Sequence, residues 1–477
     1  MNIYCVLLHI ASASAIFWRE PAGDYSKFDA TSTFIDKTLL IEKFFRQPCK
    51  YQVITSPPGF GKTTNAYMLR RFVQIEVDES GQVKNKTDTS SYKIFTDKRL
   101  QISNHPDIIQ EHLAEYPVIH FDYSHVTKEN SYKTERGLMN KISKTFKRYK
   151  WLYTILQKRY AQRRDERETD LHRKVLAMGK LISESQHIYI HGMLYALCQL
   201  AELVHEYFQK KVFLIVDDYD SLWYDGLRHN DPFQMGYADW LHDLINLMFT
   251  PQFSKYIAYV FITGTHTISL KSEDFVYNRF LDAHPFVNYY GFTKEEVSRL
   301  LDRRHVPQTE MQQLQNLYNG YTTKSTKLQI FQPSLIIEYL IPTVQPSEPT
   351  TLSATEKKMT LKPWIDGDSM TLLKIALVNK EINEEIKKLA ASGNTTFKMR
   401  PKINEQELQA LSYNIRDIAA AKKVLKPQDQ IETLTVDWFF TLLFENGYFT
   451  YTDEQDFYKV PNERKMNSLK AFSITTV

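Results

Sequence analysis

Lys50-Tyr51-Gln52-Val53-Ile54-Thr55-Ser56-Pro57-Pro58-Gly59-Phe60-Gly61-Lys62-Thr63-Thr64 is the stretch around which the rest of the chain can be read. An apolar run breaks into a Pro/Gly turn, ends in Gly-Lys-Thr and opens into the helical pattern Asn65-Ala66-Tyr67-Met68-Leu69-Arg70-Arg71-Phe72. A strand, a phosphate-sized loop and a helix N-terminus are expected in that order. The backbone N–H groups of such a loop converge on an anion, and the helix dipole adds positive potential. On this reading Ser56, Pro58, Gly59, Phe60, Gly61, Lys62, Thr63 and Thr64 surround the phosphates of ATP. Lys62 reaches the β and γ phosphates, and the Thr63 hydroxyl ligates Mg²⁺. Against the pattern G-x-x-x-x-G-K-[ST], Ser56 stands at the first glycine and Gly59 sits inside the loop. The competing reading is a Gly/Pro loop ahead of an ordinary helix that happens to carry a lysine.

The second diagnostic stretch is Lys211-Val212-Phe213-Leu214-Ile215-Val216-Asp217-Asp218. A continuous apolar run ending in acids reads as a strand buried on both faces whose C-terminal end meets a ligand. Asp217 takes the Mg²⁺ role and Asp218 the role of the base that orients water, against the plainer reading of two acids capping a surface strand. Aspartate is one methylene shorter than glutamate, so hydrolysis is expected to be slow or relayed through water. The run Tyr256 to Ile262 ends in Thr263-Gly264-Thr265, and Thr263 or Thr265 is the candidate γ-phosphate sensor. Asn278 and Arg279 are expected on a following helix, with Arg279 a candidate for stabilising phosphate charge.

Composition bounds these readings. A chain of 477 residues should hold two or three domains, and 43% hydrophobic residues allow ample cores. A net charge of +4 is too mild to imply nucleic acid by itself. Cys5, Cys49 and Cys198 lack C-x-x-C spacing and read as ordinary core residues. Ile3 to Ala11 followed by Ser12-Ala13-Ser14-Ala15 has the outline of a short secretory signal, although His9 interrupts it and no Lys or Arg precedes it. A cleaved leader over residues 1–15 would place the chain in the secretory pathway; a buried first element would leave it cytoplasmic. No stretch reaches about 18 apolar residues, so no membrane span is expected.

Residues 1–23 are therefore a leader or extension, 24–290 the phosphate-loop domain, 291–345 a helical lid and 356–477 a C-terminal domain. Pro342 to Thr355, rich in Pro, Ser and Thr, reads as a linker. Between 133 and 211 there is no proline, and a helical insertion between two sheet strands is expected. Within it, Lys141 to Lys180 carries thirteen Lys/Arg against four Asp/Glu. That is either a surface for nucleic acid or a solvated helix pair, and the aromatics Phe146, Tyr149, Trp151, Tyr153 and Tyr160 are spaced for helix packing. Phe34 to Phe45 has helical spacing, and covers either a nucleotide base or a sheet edge. Thr293 and Glu296 form a capping-box pattern that opens a helical stretch running to Tyr339. Near the C-terminus Val436 to Phe444, Gly447 to Thr452 and Phe457 to Pro461 outline a helix and two strands, as in a winged helix. The acidic turn Asp453-Glu454-Gln455-Asp456 argues against contact with DNA phosphates.

The conjunction of Phe34-Ile35-Asp36-Lys37-Thr38, Phe60-Gly61-Lys62-Thr63-Thr64-Asn65, Tyr116-Pro117-Val118-Ile119 and Leu214-Ile215-Val216-Asp217-Asp218-Tyr219-Asp220 resembles the predicted AAA-ATPase-like proteins. Gly291-Phe292-Thr293-Lys294-Glu295-Glu296-Val297, Tyr318-Asn319-Gly320-Tyr321, Gly447-Tyr448-Phe449 and Val460-Pro461-Asn462 extend the resemblance from about residue 30 nearly to the end. Longer members carry a PD-(D/E)XK nuclease domain, which is not expected here. The family usually has Glu at Asp218, and Arg at Pro58 and Gly59. The resemblance implies an α/β fold: the parallel sheet of a P-loop NTPase with helices on both faces, a helical insertion, and a mainly helical C-terminal part with a winged-helix-like element.

The function expected is Mg-dependent ATP binding with slow hydrolysis. The alternatives are a nucleotide-dependent switch or scaffold read by a protein partner, and an ATP-regulated nucleic-acid binder. A homo-oligomer is also open, since ring-forming relatives require a neighbour's arginine.

Overall fold

Valine, phenylalanine, leucine and isoleucine fill residues 212–216, and all six residues of Val212–Asp217 are buried in the computed structural model. This strand is buried because it lies inside a five-stranded parallel sheet. The strands are β1 (Tyr51–Thr55), β2 (Val118–Asp122), β3 (Val212–Asp217), β4 (Ile257–Gly264) and β5 (Val276–Asn278), in the order β2-β3-β4-β1-β5. The structure describes residues 33–124, 126, 131–160, 166–183, 194–223, 232–340, 380–403 and 435–474. The leader, the expected linker at 342–355, and Arg163 and Arg164 of the basic stretch lie outside the described residues.

Strand residues alternate between the two faces of the sheet. Ile54, Phe213, Ile215 and Phe261 pack with helices α1 (Leu39–Phe45) and α2 (Lys62–Val73). Val53, Leu214, Val216, Val260 and Ile262 belong to the larger core on the other face. Helix α1 covers the middle of the sheet instead of its edge, its Phe44 ring lying 5.4 Å from Phe213 and 5.9 Å from Phe261.

The insertion between β2 and β3 is helical as expected: α3 (Ser131–Lys147), α4 (Lys150–Tyr160), α5 (Glu166–Ser183) and α6 (Ala196–Phe208). It protects the edge strand β2, whose outward carbonyls would otherwise invite pairing. Tyr149 Oη donates to the Val118 carbonyl at 2.7 Å, and Arg148 donates to that of His120 at 2.7 Å. The aromatics do pack helices: Phe146, Tyr149 and Tyr160 are buried, and Trp151 meets Tyr207 at 5.3 Å. Several of the basic residues are engaged internally, Lys174 with Asp170 and Glu202 at 2.6 and 2.7 Å, and Lys141 with Asp122 at 3.6 Å. Cys198 is in the core, whereas Cys49 is half-buried.

Helix α7 (Pro232–Leu247) follows β3, and α8 (Lys294–Arg303) opens on the capping box of Thr293 and Glu296. The helical stretch expected up to Tyr339 is interrupted. After α9 (Met311–Tyr318), Gly320 adopts φ +100° and a hairpin of β6 (Tyr321–Thr322) and β7 (Gln329–Ile330) precedes α10 (Pro333–Leu340).

The C-terminal part contains α11 (Lys380–Ser392), β8 (Asn394–Thr396), α12 (Val436–Glu445), β9 (Thr450–Tyr451), β10 (Phe457–Lys459) and α13 (Glu463–Ile474). The three strands pair antiparallel in the order β8-β10-β9, a winged-helix-like arrangement with the acidic turn at the wing tip. Residues 438–445 of α12, the helix that would otherwise face a DNA groove, are all buried. Among the described residues no helix is long and apolar enough to cross a membrane.

Candidate functional site

The register of the sheet decides what meets at its carboxyl edge. Asp122 pairs with Asp217, Val216 with Ile262, and Ile54 with Thr263. The ends of β2, β3 and β4 therefore stand in a row beside the loop that leaves β1, which is where open α/β sheets bind ligands.

That loop has two left-handed residues, Gly59 (φ +83°) and Gly61 (φ +95°), the second capping α2. Glycine reaches this region without strain. Gly59 is also sterically required, because a Cβ there would lie 2.2 Å from Ser334 Oγ. The Pro58 carbonyl accepts from Gln332 Nε2 at 2.9 Å and the Gly59 carbonyl from the Ser334 N–H at 3.2 Å. A planar trans peptide points its C=O and the next N–H in opposite directions. With these carbonyls turned to Gln332 and the first turn of α10, the N–H groups of Gly59 and Phe60 point away from that segment. Phe60 offers backbone only, its ring buried 4.6 Å from Phe280 and 5.1 Å from Tyr321.

Lys62 is buried and folded back on its loop. Its Nζ donates to the Ser56 carbonyl at 2.8 Å, the Pro57 carbonyl at 3.3 Å and Thr265 Oγ1 at 3.3 Å. The Ser56 and Thr263 hydroxyls are buried without a hydrogen-bond partner. Thr63 and Thr64 occupy the first turn of α2 and are half-buried.

Asp217 is fully buried and neither carboxyl oxygen makes a well-formed hydrogen bond, the Thr63 hydroxyl acting on it only as a weak donor. Burial first, then the charges of Asp218 and Asp122, push its pKa well above the ordinary carboxylate range, while nearby Thr63 and Lys62 pull the other way. Asp218 adopts φ +55°, a region aspartate tolerates better than most side chains. Lys141 brings a cation from the insertion to Asp122; burial lowers its pKa, opposed by Asp122 and more weakly by Asp218.

Two sequence expectations fail here. Asn278 and Arg279 stand at and just after strand β5 instead of on a helix, and Arg279 turns away from the loop. Its guanidinium is buried against Glu445 at 3.0 Å and the carbonyls of Arg400 and Pro401. Asn278 bonds Gln52 Oε1 at 2.8 Å, tying β5 to β1. Sequence reading also passed over Asp122, Lys141 and a buried Asp220–His266 pair; the acid closing the apolar run Val118 to Phe121 was the available signal for the first.

Residues 24–272, just over half of the chain, match the family described as predicted AAA-ATPase. The chain belongs to this family. Members are AAA-type ATPases by description, so nucleotide binding is supported at the family level. No curated protein matches the chain. The crystal structure of Cdc6p from Pyrobaculum aerophilum is similar over 98% of this chain and 97% of that one, at 11% sequence identity and a TM-score of 0.27.

The residues present fit Mg²⁺, which keeps several waters and is held by one or two carboxylates together with phosphate oxygens. A buried carboxyl served only by a threonine hydroxyl is such a partial ligand set. Among the described residues no group of three or more His, Cys, Asp or Glu could hold a metal without the nucleotide.

Proposed function

We propose that the chain binds Mg-ATP at the loop 56–64 and hydrolyses it slowly. The observation that carries this reading is the pairing of a loop with two left-handed glycines, on which Lys62 is folded back, with a buried acid that only the Thr63 hydroxyl serves. Gly59, Phe60 and Gly61 hold phosphate oxygens through their N–H groups. Lys62 exchanges its contacts with the Ser56 and Pro57 carbonyls for the β and γ phosphates. Thr63 and Asp217 hold Mg²⁺, which when bound withdraws charge from the phosphates. Asp218 orients water, and Thr263 or Thr265 senses the terminal phosphate. Asp218 is short for this role, and a general base must come within about 2.6 to 3.2 Å of its proton or act through one water. Slow turnover follows. The test is ATP binding and phosphate release with Mg²⁺ on wild type and Lys62→Ala side by side. Loss of both in the variant is expected; unaltered binding would refute the site.

A second reading, a nucleotide-dependent switch with little turnover, is favoured by one observation. The loop is gripped by Gln332 and Ser334, so a change in the loop is felt at once at the start of α10. Tight binding with negligible turnover, raised sharply by Asp218→Glu, would support that reading. A nucleic-acid role has less to rest on, with α12 buried and basic residues of the insertion engaged internally.

A further inference from the structure

Around the loop, the C-terminal part packs closely enough that a Cβ on Gly447 would stand 3.2 Å from both the Pro57 ring and Tyr321 Oη. Beside this contact runs an unbroken set of hydrogen bonds that passes from part-buried to fully buried. Lys62 Nζ donates to Thr265 Oγ1 at 3.3 Å. The N–H of Thr265 donates to both Asp220 oxygens at 3.1 Å, and that of His266 to Asp220 Oδ2 at 2.8 Å. His266 Nδ1 lies 2.8 Å from the same oxygen, and His266 Nε2 lies 2.9 Å from Asn446 Nδ2.

The chemistry of the partners orders the donors. A carboxylate only accepts, so Nδ1 carries the proton, and Nε2 is left to accept from the Asn446 amide. The second N–H of that amide is fixed by the Leu442 carbonyl at 2.8 Å. Next to it, Glu445 accepts from the N–H of Thr267 at 3.2 Å and from Arg279 at 3.0 Å. The C-terminal end of α12 thus clamps the turn 265–267 that carries the hydroxyl facing Lys62.

We infer that Asn446 is a positioning residue for the nucleotide loop, acting through His266, Asp220 and Thr265, so that the docked C-terminal element completes the ATP site. This rests on the reading of the loop as that site. Docking and nucleotide binding are then thermodynamically linked: if the docked state binds ATP better, ATP holds α12 in place to the same extent.

The experiment is hydrogen exchange over 436–446, with and without Mg-ATP, on wild type, Lys62→Ala and Asn446→Leu, alongside direct ATP titration. In wild type Mg-ATP should slow exchange at the C-terminal end of α12, and Lys62→Ala should abolish that effect. Asn446→Leu should weaken ATP binding about fivefold, the low end of ordinary couplings between sites. Asn446→Gln, which keeps an amide donor, should recover part of the loss. Wild type that binds Mg-ATP with no change in exchange at α12 overturns the inference and leaves the proposed function standing; so does an Asn446→Leu chain that binds as wild type. Wild type that binds no ATP overturns both. The wild-type exchange measurement decides the matter even if the leucine variant does not fold.

Discussion

Asp217 and Asp220 lie three residues apart, both are buried, and the chain treats them in opposite ways. Asp220 accepts from two backbone N–H groups and from His266. Burial would raise its pKa, but the hydrogen bonds from the His266 ring and the His266 backbone N–H outweigh it and hold the carboxyl below its usual range. Asp217 has none of these partners and is pushed the other way. The fold satisfies an acid it uses as structure. On the proposed function, an acid left so poorly served is kept, at a cost in stability, for something that arrives from outside.

The contrast breaks most visibly at Asp220. Asp220→Ala strands the His266 ring and two backbone N–H groups, and at about 1 to 3 kcal/mol for each polar group left unsatisfied a loss of about 3 to 5 kcal/mol is expected. Urea or thermal unfolding measures it. A cost under about 1 kcal/mol would mean that the turn is held by packing and that the comparison of donor sets is empty.

Acid sharpens the same point. A carboxyl whose folded pKa is depressed contributes stability above its unfolded pKa, about 3.9, and loses it as pH falls through the folded value. The stability gap between wild type and Asp220→Ala should therefore stay level from pH 7 to about pH 4.5 and narrow below about pH 3.9. A gap that already closes between pH 7 and pH 5 would show that the Asp220 charge is not what holds the turn.

The two acids also mark what could be read from sequence. Asp217 could be singled out because its signal is local: five apolar strand residues, then an acid. The loop was legible for the same reason, as was the capping box of Thr293 and Glu296. Asp220 stood in the same stretch and was not singled out, because its role depends on His266 and, through it, on Asn446, 180 residues further along the chain. Arg279 was misplaced for a related reason. Position after a strand says which end of the sheet a residue is near, not which way its side chain turns, and Glu445 turned it. Several motifs that signalled the family proved to be joints. Lys37 pairs with Glu296 at 2.7 Å, and Gly320 approaches Pro461 so closely that a Cβ there would lie 1.7 Å from its carbonyl oxygen. The hairpin β6–β7 and the strand β8 are two or three residues long, too short for any periodicity to register.

Asp217→Asn carries the smallest expected change in stability and the most informative one. If the carboxyl is reserved by the fold, replacing a group whose ionised form is costly to bury relieves a cost instead of creating one. The variant should then be as stable as wild type or more stable by about 1 kcal/mol, in the range of one unsatisfied polar group. Its Mg-dependent ATP binding should fall at the same time, while the weaker binding measured in EDTA should not. Stability and function moving in opposite directions is the signature of a residue kept for a ligand. A destabilised Asp217→Asn with unchanged Mg²⁺ dependence would place Asp217 beside Asp220 as a second structural acid. The distinction between the two ends of this short stretch would then be gone.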